Sequence, residues 1–374
     1  DRITKSKKYS GKSYINVNQN KIQSKPKVEK INLDAQLKSP EFIDMVYDAI
    51  TELFPLTNEQ YLCLKANRAL ALKRIREDYF NIPKVTKHFI RDLLNYINEK
   101  YNVNYIATDL LGVPGFYVEN GEVTFVKRSG LGIKMKNAQG QIVGLQVRRY
   151  DYIKDNKMVI VEKEGDNAGK YYWIASPGLE KGCSAGSPLD VLYPLNIEDM
   201  YNAVIITEGK FKEEMLIQYF NHATISVQGV SSWKNKIYKE IKSISENYID
   251  IKEAYIAYDA DMATNVKVYN QCKKMVEHEL LPNNISAQML IWDYRDGKGI
   301  DDLIINNKIN TIKKVSFCDY VTEYEKFISK MRELYPKSKQ ELFLKDDGKT
   351  FVEDDIIEKY YREIVFNKLM KSHI

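Results

Sequence analysis

The stretch Ala203-Val-Ile-Ile-Thr-Glu208, which is followed by Gly209, predicts a short buried strand that ends at an acidic residue. A second apolar run, Ala254-Tyr-Ile-Ala-Tyr258, ends in the acidic sequence Asp259-Ala-Asp261. Helical patterns separate the two runs. Alternation of strand and helix predicts an α/β fold, in which a parallel sheet with right-handed crossovers is flanked by helices.

The acidic residues that follow the two strands predict a metal site. In an open parallel sheet, side chains at the carboxyl ends of the strands face one crevice, so Glu208, Asp259 and Asp261 are expected to meet there. Carboxylates that lie close together repel one another unless a cation neutralises them, and Mg²⁺ prefers such hard oxygen ligands. The alternative is that Asp259-Ala-Asp261 is only a turn.

The order of the motifs resembles that of a TOPRIM domain, the metal-binding core of bacterial primases, topoisomerases and some nucleases. The acids named above are followed by Gly299-Ile-Asp301-Asp302, which is similar to the closing motif of that domain. Upstream, the stretch from Gly132 to Arg148 and the segment Lys170-Tyr-Tyr-Trp-Ile-Ala-Ser-Pro177 resemble the region that precedes TOPRIM in DnaG-type primases. The resemblance covers residues 104–305.

The resemblance implies a catalytic centre that binds Mg²⁺ or Mn²⁺. Glu208, Asp259 and Asp261 are then the expected catalytic residues, and the expected metal ligands are Glu208, Asp259, Asp261, Asp301 and Asp302. The sequence departs from the family pattern in two places. Lys212 stands where an acid is usual, and the closing motif lacks its first acid. Both departures leave the number of bound metal ions open between one and two.

The resemblance also implies that basic residues upstream of Asp259 bind nucleic acid or nucleotides. By motif position, Arg128 and Lys170 are the best candidates, and strand alternation places Lys134 and Lys136 on one face. The alternative is a solvated strand surface. The full set of expected nucleic-acid or nucleotide-binding residues is Arg128, Lys134, Lys136, Arg148, Lys170 and Lys210.

Composition predicts a soluble intracellular protein. The chain has 374 residues, of which 44% are hydrophobic, and it contains no apolar run long enough to span a membrane. Its four cysteines are widely scattered, which favours reduced thiols over a disulfide framework or the zinc ribbon common in primases. We therefore expect a cytoplasmic location and no membrane partner, and the resemblance implies a bacterial or phage-infected cell.

Charge and periodicity divide the chain into segments. Residues 1–40 hold ten basic and three acidic residues, while the whole chain carries a net charge of +5. This basic segment is expected either to bind phosphates or to serve as a linker. The predicted segments are a basic arm or linker (1–39), a helical module (40–103), a mixed β-rich primase-like subdomain (104–198), a TOPRIM domain (199–305) and a C-terminal helical region (306–374).

The resemblance implies a DNA primase that makes short RNA primers on a single-stranded DNA template from ribonucleoside triphosphates. The unusual acid pattern and the missing zinc ribbon favour a plasmid, phage or mobile-element enzyme, with a replicative helicase as a further partner. Three alternatives stay open: a TOPRIM nuclease, a topoisomerase-like enzyme and a non-catalytic replication protein that binds DNA.

Overall fold

A computed structural model describes residues 34–68, 72–161, 169–339 and 341–371, so most of the predicted basic arm lies outside the described residues. The helices are α1 (Pro40–Leu53), α2 (Asn58–Arg68), α3 (Leu72–Asp78), α4 (Phe89–Tyr101), α5 (Lys210–Tyr219), α6 (Ile237–Asn247), α7 (Val266–Met275), α8 (Ile300–Ile305), α9 (Phe317–Leu334), α10 (Asp354–Tyr361) and α11 (Asn367–Lys371). The strands are β1 (Tyr79–Asn81), β2 (Phe116–Glu119), β3 (Glu122–Phe125), β4 (Leu131–Lys136), β5 (Ile142–Arg148), β6 (Tyr152–Lys154), β7 (Lys157–Val159), β8 (Tyr171–Trp173), β9 (Asp190–Leu192), β10 (Ala203–Glu208), β11 (Ala223–Val227), β12 (Glu253–Ala257), β13 (Ser286–Ile291) and β14 (Lys313–Ser316).

A six-stranded sheet in the order β14-β13-β12-β10-β11-β9 forms the centre of the molecule. The four inner strands are parallel, and the two edge strands β9 and β14 run antiparallel to them. This mostly parallel sheet confirms the α/β class that the alternation of apolar runs and helices predicts.

Helices cover both faces of this sheet, which explains the continuous apolar runs. On one face, Val204 and Ile206 belong to a large core that includes residues of α6, α7 and α9. On the other face, Ile205 contacts a smaller core with Leu216 of α5 and Leu303 of α8. Successive side chains of β10 therefore enter opposite cores.

A four-stranded antiparallel sheet, in the order β1-β4-β5-β8, precedes the central sheet. The predicted helical module over residues 40–103 also contains a strand, because β1 pairs with β4 through Tyr79 opposite Ile133. The backbone hydrogen bonds of this strand join it to the sheet of the following segment, and helical periodicity alone does not reveal such a short strand.

Two local sequence signals correspond to the observed structure. Thr57 and Gln60 form a capping box at the start of α2, with the Thr57 N–H 3.0 Å from Gln60 Oε1 and the Gln60 N–H 3.2 Å from Thr57 Oγ1. Asn120 and Gly121 connect β2 and β3 with φ angles of 54° and 80°. Positive φ at both central residues is typical of the tight hairpin turn that an Asn-Gly pair predicts.

The predicted C-terminal helical region (306–374) contains α9, α10 and α11, but it also contributes the strand β14, which pairs with β13 at the edge of the central sheet. Tyr324 of α9 stacks on Tyr269 of α7, with ring centroids 3.8 Å apart. Cys183 and Cys272 are buried free thiols and Cys318 is an exposed one. None of the helices in the described ranges is long and apolar enough to cross a membrane.

Candidate metal and nucleotide centre

The acidic residues meet where β10 and β12 end at the same edge of the central sheet. The strands run side by side in parallel, with Thr207 opposite Ala257, and the Thr207 hydroxyl donates to the Ala257 carbonyl oxygen at 2.9 Å. Glu208 is the last residue of β10, and Asp259 follows β12 by two residues. The two carboxylates therefore emerge from adjacent strand ends.

Burial and mutual repulsion change the acidity of these carboxylates. Burial raises the pKa of Glu208 above its ordinary value, and the neighbouring charges of Asp259 and Asp261 raise it further, while Lys212 opposes the shift. Burial also raises the pKa of Asp259, again with a contribution from Asp261 and against the effect of Lys212. The charges of Asp259 and Asp261 thus act on Glu208, and that of Asp261 acts on Asp259.

Two lysines are paired with these acids. Lys212 Nζ forms an ion pair with Asp259 Oδ1, and Lys298 Nζ lies 2.8 Å from Asp261 Oδ2. Lys212 stands where the pattern that this sequence resembles has an acid, and neither ion pair is predicted from the sequence. One of the two ion pairs, Lys212 with Asp259, has a signal in the sequence: Lys212 lies only four residues after Glu208, at the start of α5.

The two acids at the start of α8 have different surroundings. Asp302 Oδ2 accepts hydrogen bonds from the backbone N–H groups of Gly299 at 3.0 Å and Lys298 at 3.1 Å, so this carboxylate caps α8. We therefore leave Asp302 out of the proposed ligand set. Asp301 faces the acidic centre: a Cβ atom on Gly299 would lie 2.3 Å from Asp301 Oδ1 and 3.3 Å from Asp259 Oδ1.

The donor set fits a divalent cation in its chemistry. Glu208, Asp259, Asp261 and Asp301 supply only hard carboxylate oxygens, which suit Mg²⁺ or Mn²⁺. Among the described residues, no group of three or more His, Cys, Asp or Glu side chains is arranged to hold a metal ion as it stands. The ion pairs with Lys212 and Lys298 turn two of the carboxylates toward ammonium groups.

A cavity of about 740 Å³ adjoins Asp259 and Asp261. Its opposite wall comes from the C-terminal region and includes Phe343 and Arg362. The Tyr324 hydroxyl lies within hydrogen-bonding distance of the carbonyl oxygens of Met262 and Ala263, at 3.1 and 3.0 Å, and so holds the loop that follows Asp261. The C-terminal helices thus help to shape the acidic centre.

Of the predicted basic residues, Arg128 and Lys170 are exposed. The Arg128 guanidinium lies 5.5 Å from the centre of the Tyr172 ring of β8. Lys170 directly precedes β8 in the chain, so both cations lie beside this strand. Arg148 is half-buried, with its guanidinium 5.6 Å from the centre of the Phe211 ring.

The remaining three predicted basic residues are engaged inside the protein. Burial lowers the pKa of Lys134, and the adjacent charge of Lys136 adds to this effect. The ammonium of Lys136 lies 2.5 Å from Asp78 Oδ1. Lys210 is only 2% exposed and pairs with Asp190 and Asp78. The expectation that Lys210 binds nucleotides is therefore corrected, because its ammonium is enclosed by acidic side chains.

These buried charges join the two large sheets. Asp78 precedes β1, Asp190 begins β9 and Lys210 begins α5. Burial lowers the pKa of the Lys210 ammonium, but the carboxylates of Asp190 and Asp78 outweigh it and hold that pKa above its usual range. Glu214, on the next turn of α5, is fully buried, and burial raises its pKa to about 8. The sequence does not indicate this network, because its members are far apart along the chain.

The comparisons with known proteins concern the fold. A family model described as a domain of unknown function, DUF3854, matches residues 195–311, which is less than half of the chain. No curated protein matches the sequence. Several solved structures do match.

The RNA polymerase domain of Mycobacterium tuberculosis primase DnaG, in complex with a double-stranded DNA oligomer carrying a 6-nucleotide overhang, aligns with a TM-score of 0.51 and 12% identity over 88% of this chain and 97% of that one. A second structure of that domain aligns with a TM-score of 0.50 and 12% identity over 79% and 90% of the two chains. The Aquifex aeolicus primase, with its zinc-binding and RNA polymerase domains, aligns with a TM-score of 0.47 and 15% identity over 94% and 78%. The chain therefore has the fold of the RNA polymerase domain of DnaG-type primases.

Proposed function

We propose that this protein is a DNA primase that synthesises short RNA primers on single-stranded DNA by metal-dependent nucleotidyl transfer. The main support is the meeting of Glu208, Asp259 and Asp261 at one edge of the central sheet, in a chain with the fold of a primase RNA polymerase domain. We also propose that residues 199–305 form a TOPRIM domain, to whose sheet the neighbouring segments add the edge strands β9 and β14.

The acidic residues would hold the catalytic cation. Glu208, Asp259 and Asp261, with Asp301 nearby, would bind Mg²⁺ or Mn²⁺, which when bound neutralises the negative charge of a nucleoside triphosphate. Gly299 keeps this corner open, because a side chain at that position would collide with Asp301 and Lys212. The carboxylates fix the position of the reacting phosphates, and such positioning supplies much of the rate in phosphoryl transfer chemistry.

A basic surface on the antiparallel sheet and a cavity beside the acidic centre are available to substrates. The exposed cations of Arg128 and Lys170, beside the half-exposed ring of Tyr171, combine positive charge with an aromatic surface, which suits single-stranded nucleic acid. The cavity of about 740 Å³ beside Asp259 lies within the usual range of small-molecule sites, roughly 300–1,000 Å³. The related M. tuberculosis domain was solved with an oligomer that has a single-stranded overhang.

The cellular setting is part of the same proposal. The replacement of a family acid by Lys212 supports a role in plasmid, phage or mobile-element replication. A replicative helicase stays a predicted partner, for which no residue of the C-terminal region is proposed.

Primer synthesis with labelled ribonucleotides on single-stranded DNA, with Mg²⁺ or Mn²⁺, tests the proposal. We expect short RNA products from the full chain and none from the chain carrying Asp259→Asn. Cleavage of the single-stranded DNA or relaxation of supercoiled DNA, without triphosphate binding in calorimetry, would replace the primase proposal with a nuclease or topoisomerase-like activity. DNA binding without any of these reactions would favour a non-catalytic replication protein.

A further inference from the structure

The two lysines of the acidic centre differ in how deeply they are held. The side chains of Lys212 and its partner Asp259 are only 18% and 16% exposed. The side chains of Lys298 and its partner Asp261 are 54% and 41% exposed. Lys212 therefore lies within the centre, whereas Lys298 lies at its rim.

Lys212 lies at the N-terminal end of a helix, a position that disfavours a cation, and the carboxylates of the acidic centre compensate for this. Gly209, with a φ of 88°, turns the chain from β10 into α5, so Lys212 lies in the first turn of that helix. The N-terminal end of a helix carries partial positive charge, which disfavours a lysine there. The carboxylates of Asp259 and Glu208 face the ammonium and offset this effect, since Lys212 opposes the rise in the pKa of both.

The room for Lys212 is also built into the neighbouring loop. A Cβ atom at position 299 would lie 3.0 Å from Lys212 Cε, so the glycine leaves space for the lysine stem. Gly299 precedes α8, and its conformation there (φ −102°) is open to any residue. The lack of a side chain at this position is thus explained by space, for Lys212 and for Asp301, and not by backbone strain.

We propose that Lys212 is a resident cation of the acidic centre, which competes with a divalent ion for Asp259. The proposal rests on the proposed function in that it takes this centre as the metal site. In the absence of a divalent ion the ammonium neutralises Asp259. When an ion binds, it must share or displace this ammonium, so the affinity for the ion is lower than three carboxylates alone would give.

Titration of the full chain with Mn²⁺ by calorimetry, without nucleotide or DNA, tests this competition. Lys212→Met removes the charge and keeps an unbranched apolar stem, so we expect Mn²⁺ to bind at least about tenfold more tightly. Lys212→Arg keeps the charge and should bind Mn²⁺ with an affinity close to that of the unmodified chain. Lys298→Met, at the rim, should have a smaller effect than Lys212→Met.

Lys252→Met serves as the matched control. Lys252 is an exposed lysine that pairs with Asp250 at 2.7 Å, just before the amino end of β12, whereas Asp259 follows the carboxyl end of the same strand. We expect no change in Mn²⁺ affinity for this variant. Thermal unfolding adds a second measurement: without metal, Lys212→Met should unfold at a lower temperature than the unmodified chain, and Mn²⁺ should reverse this difference.

Equal Mn²⁺ affinity for Lys212→Met and the unmodified chain would overturn the inference, as would the absence of Mn²⁺ binding by both. A larger effect of Lys298→Met would also overturn it, because the resident cation would then be Lys298. The proposed function is tested separately from this inference, by primer synthesis. If the chain makes primers while the affinities stay equal, only the inference fails; if Lys212→Met binds Mn²⁺ more tightly but no primers form, only the primase proposal fails.

Discussion

At the scale of single residues, the acidic centre balances repulsion against pairing. Glu208 and Asp259 are partly buried, and both have a raised pKa because burial and neighbouring carboxylates disfavour their charged forms. Lys212 and Lys298 relieve part of this repulsion. A group that is arranged against its own electrostatics is typical of functional sites, because a bound cation removes the conflict.

Replacing Asp259 tests this centre. Asp259→Asn removes the ligand charge and keeps the shape, so primer synthesis should fall at least about 100-fold, the usual scale for one positioned electrostatic group. The free energy of unfolding should change by less than about 1 kcal/mol, because the loss of the pair with Lys212 is offset by reduced repulsion with Asp261. Asp250→Asn, at the opposite end of β12, is the control. An active Asp259→Asn variant would remove Asp259 from the proposed site.

At the scale of secondary-structure elements, β8 and its neighbours present the exposed cations. The Lys170 carbonyl oxygen accepts from the Arg149 N–H at 2.9 Å, so the backbone holds Lys170 beside β5 while its side chain stays exposed. The guanidinium of Arg128 lies over the ring of Tyr172, which belongs to β8. Both cations lie in connecting segments, and these contacts hold them beside β5 and β8.

Substitution of these two cations tests their role in substrate binding. Arg128→Ala and Lys170→Ala should each raise the KM for template or nucleotide about tenfold to a hundredfold, since a charge-assisted contact contributes roughly 1.5–3 kcal/mol. Mn²⁺ affinity should not change, because neither residue is proposed as a ligand. Lys127→Ala is the matched control, as this exposed lysine pairs with Glu119 at 3.5 Å. Unchanged KM values for both variants would assign Arg128 and Lys170 to a solvated surface.

At the scale of the whole molecule, a buried polar network links the antiparallel sheet to the central sheet. Asp78, Asp190 and Lys210 supply the charges, and Glu213 and Glu214 of α5 are fully buried beside them. Burial raises the pKa of both glutamates, that of Glu214 to about 8. This raised pKa favours the protonated form of Glu214 in the folded protein.

The pH dependence of stability tests this network. A carboxyl whose pKa is higher in the folded state binds more protons there, so its contribution to stability is present below its unfolded pKa of about 4.5 and is lost as the pH rises to about 8. Within that window the free energy of unfolding should fall by up to about 1.4 kcal/mol per pH unit because of this one group.

Glu214→Gln mimics the protonated form, so it should flatten this dependence and stabilise the protein at pH values near 8, as measured by denaturant unfolding. Glu246→Gln in α6 is the control, because Glu246 is exposed and pairs with Lys242 across one helical turn. An identical pH slope for Glu214→Gln and the unmodified chain would show that Glu214 is ionised in the folded state.

Local order along the chain was enough to predict several parts of this protein. The apolar runs of β10 and β12 predict buried strands, and these strands are confirmed. The capping box at Thr57 and the Asn120-Gly121 hairpin also depend on neighbouring residues only. The approach of Glu208 to Asp259 also follows from the sequence, because the carboxyl ends of adjacent parallel strands must lie at one edge of their sheet.

Only the tertiary structure decided which charges meet. Lys210 and Asp78 lie 132 positions apart in the chain and pair inside the protein, while Lys212, two residues from Lys210, faces the acidic centre instead. Side chains two positions apart on a helix point in different directions, so one sequence motif serves both the interior and the site. Asp302 caps a helix and its neighbour Asp301 faces the carboxylates for the same reason. The sequence shows which residues are charged, but the folded backbone determines which other groups these charges contact.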